Sequence, residues 1–371
     1  MHALTGRTAD DAWRAAASLF AAGGPAERQA GRGGSTWELL HVGLTIEDPR
    51  ARWVVSRAPA MNPAFALVEV LWIAAGRQDA ALPVFWNPRL PRYCGNAAVY
   101  PGAYGHRLRA HFGVDQLDRV YRALEAQPDT RQAVLQIWDA ADDLPGTDGT
   151  PAREDVPCNV AAFPKLRAGR LEWMQVMRSN DLFLGFPHNV VQFTALQEML
   201  AGWLGAAPGA YHHVADSLHV YARDLEAVRA SLAGPDPGVP VGVAAGAPRA
   251  SFALARPAWD AVLRDALRRL EDMTASALTP PALSAAAFAG DTPPAYEDAV
   301  RVAAADVARR HGWRDVAAAC ITGCADPALR ALWGRWNVRN AGRLAGRRTS
   351  ADVPADMPVS APTSVSDAVL P

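Results

Sequence analysis

Apolar and polar positions change period several times along the chain, and the changes lay out its elements. Thr8-Ala9-Asp10-Asp11 followed by Trp13 and an alanine-rich run predicts a capped first helix, stopped at Gly23-Gly24-Pro25. Residues 31–36, rich in Gly and Ser, read as a loop, and Trp37 to Ile46 as a strand. Asn62-Pro63 opens an almost wholly apolar helix that ends at Gly76, with Pro at its first turn and Gly past its end. Glu69 interrupts that apolar run, so it either reaches water or is buried for a purpose. Residues 82–105, dense in Pro, Gly, Asn and aromatics, read as long loops. Leu117 to Leu124 is a short amphipathic helix, and Ala133 to Trp138 alternates as a strand does.

Farther on, residues 142–154 form a polar insertion. Strands are expected at Asn159–Leu166 and Leu171–Arg178, joined by a turn at Ala168-Gly169. Asn189 to Leu204 carries Val190, Phe193, Leu196, Leu200 and Trp203 on one helical face. Ser217–Tyr221 reads as short and extended, and Asp224–Leu232 as helical. The predicted organisation is a catalytic domain over 1–232, a Gly/Pro-rich linker over 233–250, a helical region over 251–342 and a tail over 343–371 that does not order. Within the helical region, helices are expected at Trp259–Met273, Tyr296–Arg310 and, as one piece, Val316–Trp333.

Composition narrows the function. Half of the 371 residues are hydrophobic and the formal net charge is -1, so no general field draws in nucleic acid or an anionic membrane. Any anion must be held by placed arginines. Four cysteines in a chain this long make no disulfide framework, and the C-x3-C spacing of Cys320 and Cys324 lacks a partner pair, so no metal is expected. Without a secretory signal or a bilayer-length apolar run, the expected setting is the reducing cytoplasm.

The candidate chemistry lies between Asp155 and Tyr221. Cys158 follows Pro157 and reads as a nucleophile, or else as a small buried hydrophobe. Arg178-Ser179 offers a guanidinium fork and a hydroxyl suited to phosphate, or a structural ion pair. Asn189, after Gly185-Phe186-Pro187-His188, carries a carboxamide that matches the O4 and N3–H edge of uracil, or caps a helix. Asp181 could bind a ligand amide or cap its turn, the spacing favouring the cap. His219 and Tyr221 share a strand face and suit ligand hydroxyls, or are interior residues.

In this order the motifs Pro157-Cys158, Arg178-Ser179-Asn180-Asp181, Gly185-Phe186-Pro187-His188-Asn189 and His219-Val220-Tyr221 resemble the thymidylate synthase family, which includes the pyrimidine nucleotide hydroxymethylases. Val68-Glu69-Val70-Leu71-Trp72, Ala103-Tyr104-Gly105, Pro128-Asp129-Thr130-Arg131 and Arg32 extend the resemblance. It implies an α/β (α+β) fold with a large mixed sheet, flanking helices and a sheet-packed homodimer. It further implies that Cys158 adds to C6 of a pyrimidine nucleotide, and that C5 attacks the methylene of 5,10-methylenetetrahydrofolate. Glu69 would act through water as general acid/base and Tyr104 would assist proton removal. Arg32, Arg178, Ser179 and the partner's Arg131 would hold phosphate; Asn189 would read the base, His219 and Tyr221 the sugar, and Asp181 the folate pterin.

Several positions depart from the family pattern. One tryptophan, Trp86, stands before the Tyr-Gly turn in an altered setting, and the C-terminus differs from the closing tail of the synthases. Asn159 follows the cysteine where they have His, Gln132 follows Arg131, and Met177 precedes Arg178. Because water access eases hydroxymethylation, that product is favoured over reductive methylation to dTMP, with uridylate as substrate. A silent nucleotide-binding or regulatory protein is the rival of another class, and a scaffold role for the C-terminal third is a further one.

Overall fold

The computed structural model describes residues 2–23, 26–31, 33–234, 250–290 and 292–348, with side chains described as far as residue 339. The expected linker core (235–249), residues 349–371 of the expected tail, and Arg32 lie outside the described residues.

The chain opens with β1 (His2–Gly6) and α1 (Ala9–Ala21), whose N-terminus is closed by a capping box between Thr8 and Asp11. Next come β2 (Glu27–Gly31) and β3 (Gly34–Ile46), which pair antiparallel, so the stretch expected as a loop is a hairpin. Every residue of β2 is exposed, which removes the apolar alternation that marks a strand. Helix α2 (Pro63–Ala74) begins at Asn62, whose side chain accepts from the Ala64 and Phe65 amides. The region expected as loops contains α3 (Ala81–Trp86), α4 (Pro91–Cys94) and α5 (Tyr104–His106), the last running into one π turn. These pieces are too short to show a helical period.

Helix α6 (Gln116–Ala126) precedes β4 (Leu135–Gln136), much shorter than the alternation had promised because its flanks leave the ladder, and α7 (Ala140–Asp143) follows. β5 (Asn159–Arg167) and β6 (Arg170–Asp181) form a hairpin whose turn residues Ala168 and Gly169 both have positive φ, 47° and 70°, matching the twist of the strands. Then come α8 (Phe186–Trp203) and β7 (Ala207–Tyr221). The second is three times its expected length: Pro208, Gly209 and the buried His213 concealed its first half. Helix α9 (Leu225–Ala233) closes this part, after one 3-10 turn.

The strands make one mixed sheet in the order β1-β3-β7-β6-β5-β4, with β2 beside β3. β1 pairs parallel with β3, β6 parallel with β7, and the remaining neighbours antiparallel. Helices α1 and α8 pack on one face. Leu40 of β3 and Met174 of β6 remain 54% and 42% exposed.

The C-terminal helices are α10 (Arg256–Asp272), α11 (Pro280–Phe288), α12 (Pro294–His311), α13 (Arg314–Thr322) and α14 (Pro327–Arg348). The single helix expected over Val316–Trp333 is therefore two. Buried Asp298 splits them by accepting from the Ala325 and Asp326 amides, at 2.7 and 2.8 Å. α14 also carries the chain as helix through residues 343–348, where disorder had been expected. α10, α12 and α14 pack on α2, whose other side meets α8. A helix covered on both sides has no wet face, which is why α2 is apolar all round. Arg52 and Glu198, both nearly without exposure, bond at 2.5 Å, and Ser251 donates to the same carboxylate at 2.7 Å. No described helix is long and apolar enough to cross a membrane.

Candidate active site

A cavity of about 1130 Å³ opens where the C-terminal end of β6, the N-terminus of α8 and α2 meet. Nine of the sequence-predicted residues line it: Glu69, Tyr104, Cys158, Arg178, Ser179, Asp181, Asn189, His219 and Tyr221. Arg131 is exposed and outside this cavity in the single chain.

Cys158 stands just before β5, partly accessible. The Arg178 guanidinium donates from Nε to the Pro157 carbonyl at 2.9 Å and from Nη2 to the Val156 carbonyl at 3.3 Å. The same Nη2 lies 3.9 Å from Cys158 Sγ. The Arg178 amide donates to the Cys158 carbonyl at 2.9 Å. One arginine thus fixes the loop that carries the thiol and sets positive charge beside the sulfur. Arg178 also lies over the Trp138 ring, at 5.3 Å.

Glu69 projects from α2 into the cavity. Burial pushes its carboxyl up to about 7, although Gln192 Nε2 donates to Oε2 at 2.5 Å and pulls the other way. The carboxyl is therefore poised to gain and lose a proton near neutrality. Tyr104 is set against α2 by its neighbour Gly105: a Cβ there would come within 2.3 Å of the Ile73 carbonyl oxygen. Burial, then the proximity of Cys158, raise the Tyr104 phenol well above its ordinary value.

Asn189 belongs to the first turn of α8, where its side chain is 7% exposed. Its Oδ1 accepts from Asn180 Nδ2 at 2.9 Å, and its Nδ2 donates to Gln192 Oε1 at 3.1 Å. It does not cap the helix; it is held by two other amides and faces the cavity. Asp181 accepts from the Phe183 and Leu184 amides at 2.8 and 3.0 Å, so it closes its turn as the spacing indicated while also lining the cavity. Burial raises Asp181 and lowers neighbouring His219, drawing both toward the neutral form. His219 and Tyr221 pack ring to ring at 5.5 Å on β7.

Other cavity residues escaped the sequence reading. Gln192 lies three positions past Asn189 on the same helix, a spacing that does signal a shared face. Trp138 and Trp86 also line the wall, which places the displaced tryptophan against the cavity after all. The C-terminal helices add Arg309, Arg310, Trp336 and Arg339. Buried Asp306 holds both α12 arginines, Arg309 at 2.8 Å, and Arg310 also donates to the Phe85 carbonyl at 2.5 Å. Arg309 lies over Trp336 at 4.7 Å. No local pattern could announce these residues, since they lie well beyond the last of the motifs, at His219-Val220-Tyr221.

A mixed sheet bearing a thiol, an arginine grip and a carboxamide at one cavity defines a class, and comparison with known proteins agrees with it. Residues 58–241 match the thymidylate synthase family model, so this stretch is a thymidylate synthase domain. It is 35% identical over 209 residues to the "Deoxyuridylate hydroxymethyltransferase" of Bacillus phage SP01, covering 53% of this chain and 54% of that protein. It is 38% identical over 169 residues to the protein of the same name from Pseudomonas phage M6, covering 45% and 47%. A "Putative thymidylate synthase" of Methanothermobacter thermautotrophicus is 28% identical over 200 residues, covering 51% and 80%. The matched stretch spans about half the length of the phage relatives.

Proposed function

We propose that this chain transfers a one-carbon unit to C5 of a pyrimidine nucleotide, dUMP foremost, and finishes with water to leave a hydroxymethyl group. The observation that carries the proposal is the convergence of Cys158, Arg178, Asn189 and Glu69 on one cavity. The order of the names among the relatives, with the hydroxymethyltransferases at 35% and 38% identity, favours hydroxymethylation over methylation.

Cys158 Sγ would add to C6 of the base, and the displaced electron pair would move through C5 toward O4, where Asn189 donates. This covalent step makes C5 a nucleophile. Bound 5,10-methylenetetrahydrofolate would supply the carbon that C5 attacks. A cavity of about 1130 Å³, with Trp72, Trp86 and Trp138 in its wall, suits two ligands with flat rings. Asp181 would face the pterin. Tyr104, through water, would take the C5 proton as the bond from the transferred carbon to the folate nitrogen breaks, which would release tetrahydrofolate and leave an exocyclic methylene on C5. Water would then add to the exocyclic methylene as the C6–S bond breaks and the thiolate leaves. Glu69 would relay protons through this water. Arg178 and Ser179 would hold the phosphate, joined by Arg32 and by Arg131 of the partner in a homodimer. His219 and Tyr221 would bind the sugar.

Met174, exposed on β6 beside the buried Trp173, supports packing of two sheets in that dimer. Incubation with dUMP, dCMP, UMP or CMP and the folate tests the reading by product mass. A gain of CH2O supports hydroxymethylation. A gain of CH2 supports the second reading, reductive methylation to dTMP, which the putative synthases among the relatives favour. Failure to release tritium from C5 of any labelled nucleotide would leave the chain a silent binder.

A further inference from the structure

One of the cavity's polar groups, Gln192, links two others through both ends of its amide. Gln192 is 3% exposed and lies on α8, facing α2. Its Oε1 accepts from Asn189 Nδ2 at 3.1 Å, and its Nε2 donates to Glu69 Oε2 at 2.5 Å. Asn180 Nδ2 donates to Asn189 Oδ1 at 2.9 Å. Three carboxamides therefore pass hydrogen bonds in one direction, Asn180 to Asn189 to Gln192, and the run terminates on the Glu69 carboxylate.

We infer that Gln192 is a positioning residue that joins base recognition to acid/base chemistry, fixing with one amide the orientation of the Asn189 carboxamide and the working oxygen of Glu69. The inference rests on the reaction proposed above. Turning Asn189 over would set its NH2 against that of Asn180 and its oxygen against that of Gln192, losing both bonds. As held, Asn189 keeps one N–H and one oxygen lone pair for a ligand, with the nitrogen on the Gln192 side. Cytosine presents a donor at C4 and an acceptor at N3, which calls for the opposite orientation. The lock is thus a device against cytosine as much as for uracil. At the other end, Gln192 occupies Glu69 Oε2, which leaves Oε1 to exchange a proton. Among the titratable and charged groups that share the cavity with Glu69 are Cys94 from α4, Tyr104 from α5, Asp155 and Cys158 before β5, Arg178 and Asp181 from β6, His188 from α8, His219 and Tyr221 from β7, and Arg309 and Arg310 from α12. Cys94 and Tyr104 feel the Glu69 charge, while the hydrogen bond to Glu69 is made by Gln192.

Two substitutions separate the ends of this amide. Gln192→Met keeps the volume and removes both bonds. It should cut the preference for dUMP over dCMP by roughly tenfold to a hundredfold and move the pH inflection of tritium release upward. Gln192→Glu keeps an acceptor for Asn189 but loses the donor to Glu69. It should keep the base preference and still move the inflection. A uniform fall in rate for both variants, with preference and pH profile unmoved, makes Gln192 merely structural and overturns the inference. A readout without turnover is the titration of Glu69 in chain labelled with 13C at glutamate Cδ, assigned by its loss in Glu69→Gln. Gln192→Met should shift that titration upward, and an unmoved titration also overturns the inference. If the parent chain releases no tritium from any nucleotide, the reaction reading fails, and the labelled titration still decides the role of Gln192.

Discussion

At the scale of single residues, position in the cavity gives ordinary side chains the surroundings that the proposed chemistry needs. Arg178 spends two of its donors on the carbonyls of Val156 and Pro157, so the charge beside Cys158 is held rather than mobile. Cys158→Ala should therefore abolish tritium release while dUMP binding, followed by calorimetry, stays within about threefold, because the loop is fixed from the backbone side. Turnover near the parent rate would remove Cys158 from the chemistry. Glu69 makes a sharper case. Its carboxyl is raised from 4.5 to about 7, so the folded state binds its proton more tightly than the unfolded chain does. The stability this proton gives is complete below about pH 4.5 and is lost as pH rises through 7. Glu69→Gln should lower turnover by about 10²- to 10⁴-fold and erase the inflection near pH 7. Above that pH the variant should gain roughly 2–3 kcal/mol in denaturant unfolding, since it no longer buries a charge. Asn189→Asp should shift preference toward cytosine nucleotides, read as a ratio of kcat/KM values; an unchanged ratio takes base reading away from Asn189.

Elements owe their form to what covers them. α2 lies between α8 and the C-terminal helices, so its sequence carries no amphipathic stripe and its one acid has only the cavity to face. β7 is long because β3 and β6 pair along both of its edges, and these ladders outweigh the reluctance of Pro208 and Gly209 to join a strand. The break between α13 and α14 depends on a single carboxylate. Asp298→Ala would leave the Ala325 and Asp326 amides without their buried acceptor and should cost about 1–3 kcal/mol in thermal or denaturant unfolding. The matching Asp298→Asn, which keeps an acceptor, should recover part of that loss.

For the whole molecule, the C-terminal third is built into the cavity and is not an appendage. Arg309, Arg310 and Trp336 reach the wall from α12 and α14, and Asp306 holds the two arginines in place. Arg131, exposed and outside the cavity, has its proposed role only in an assembly. Alone, the Arg131→Ala chain should be weak and the Cys158→Ala chain inactive. Mixed and allowed to exchange subunits, they should regain about a quarter of the parent activity, because a mixed dimer contains one site with both residues intact. No recovery in mixtures shown to exchange would place Arg131 outside the partner's site.

Sequence alone picked out residues that line the cavity: Cys158, the Arg178-Ser179 pair, Asn189, His219 and Tyr221 stand in a fixed order, and Glu69 betrayed itself as an acid in an apolar helix. It also carried the larger elements, where helical or alternating period persists over many residues, as in α8 and β6. Local pattern could not reveal the short helices before Tyr104, the exposed strand β2, the first half of β7 or the break at Asp298, because partners distant in the chain impose them. Tertiary structure alone brought Gln192 between Asn189 and Glu69 and closed the cavity with residues from α12 and α14. The contact of Gln192 with Glu69 joins positions 123 apart and that of Arg310 with Phe85 positions 225 apart, and a hydrogen bond or a packed face depends on distance in space, which periodicity along a chain does not encode.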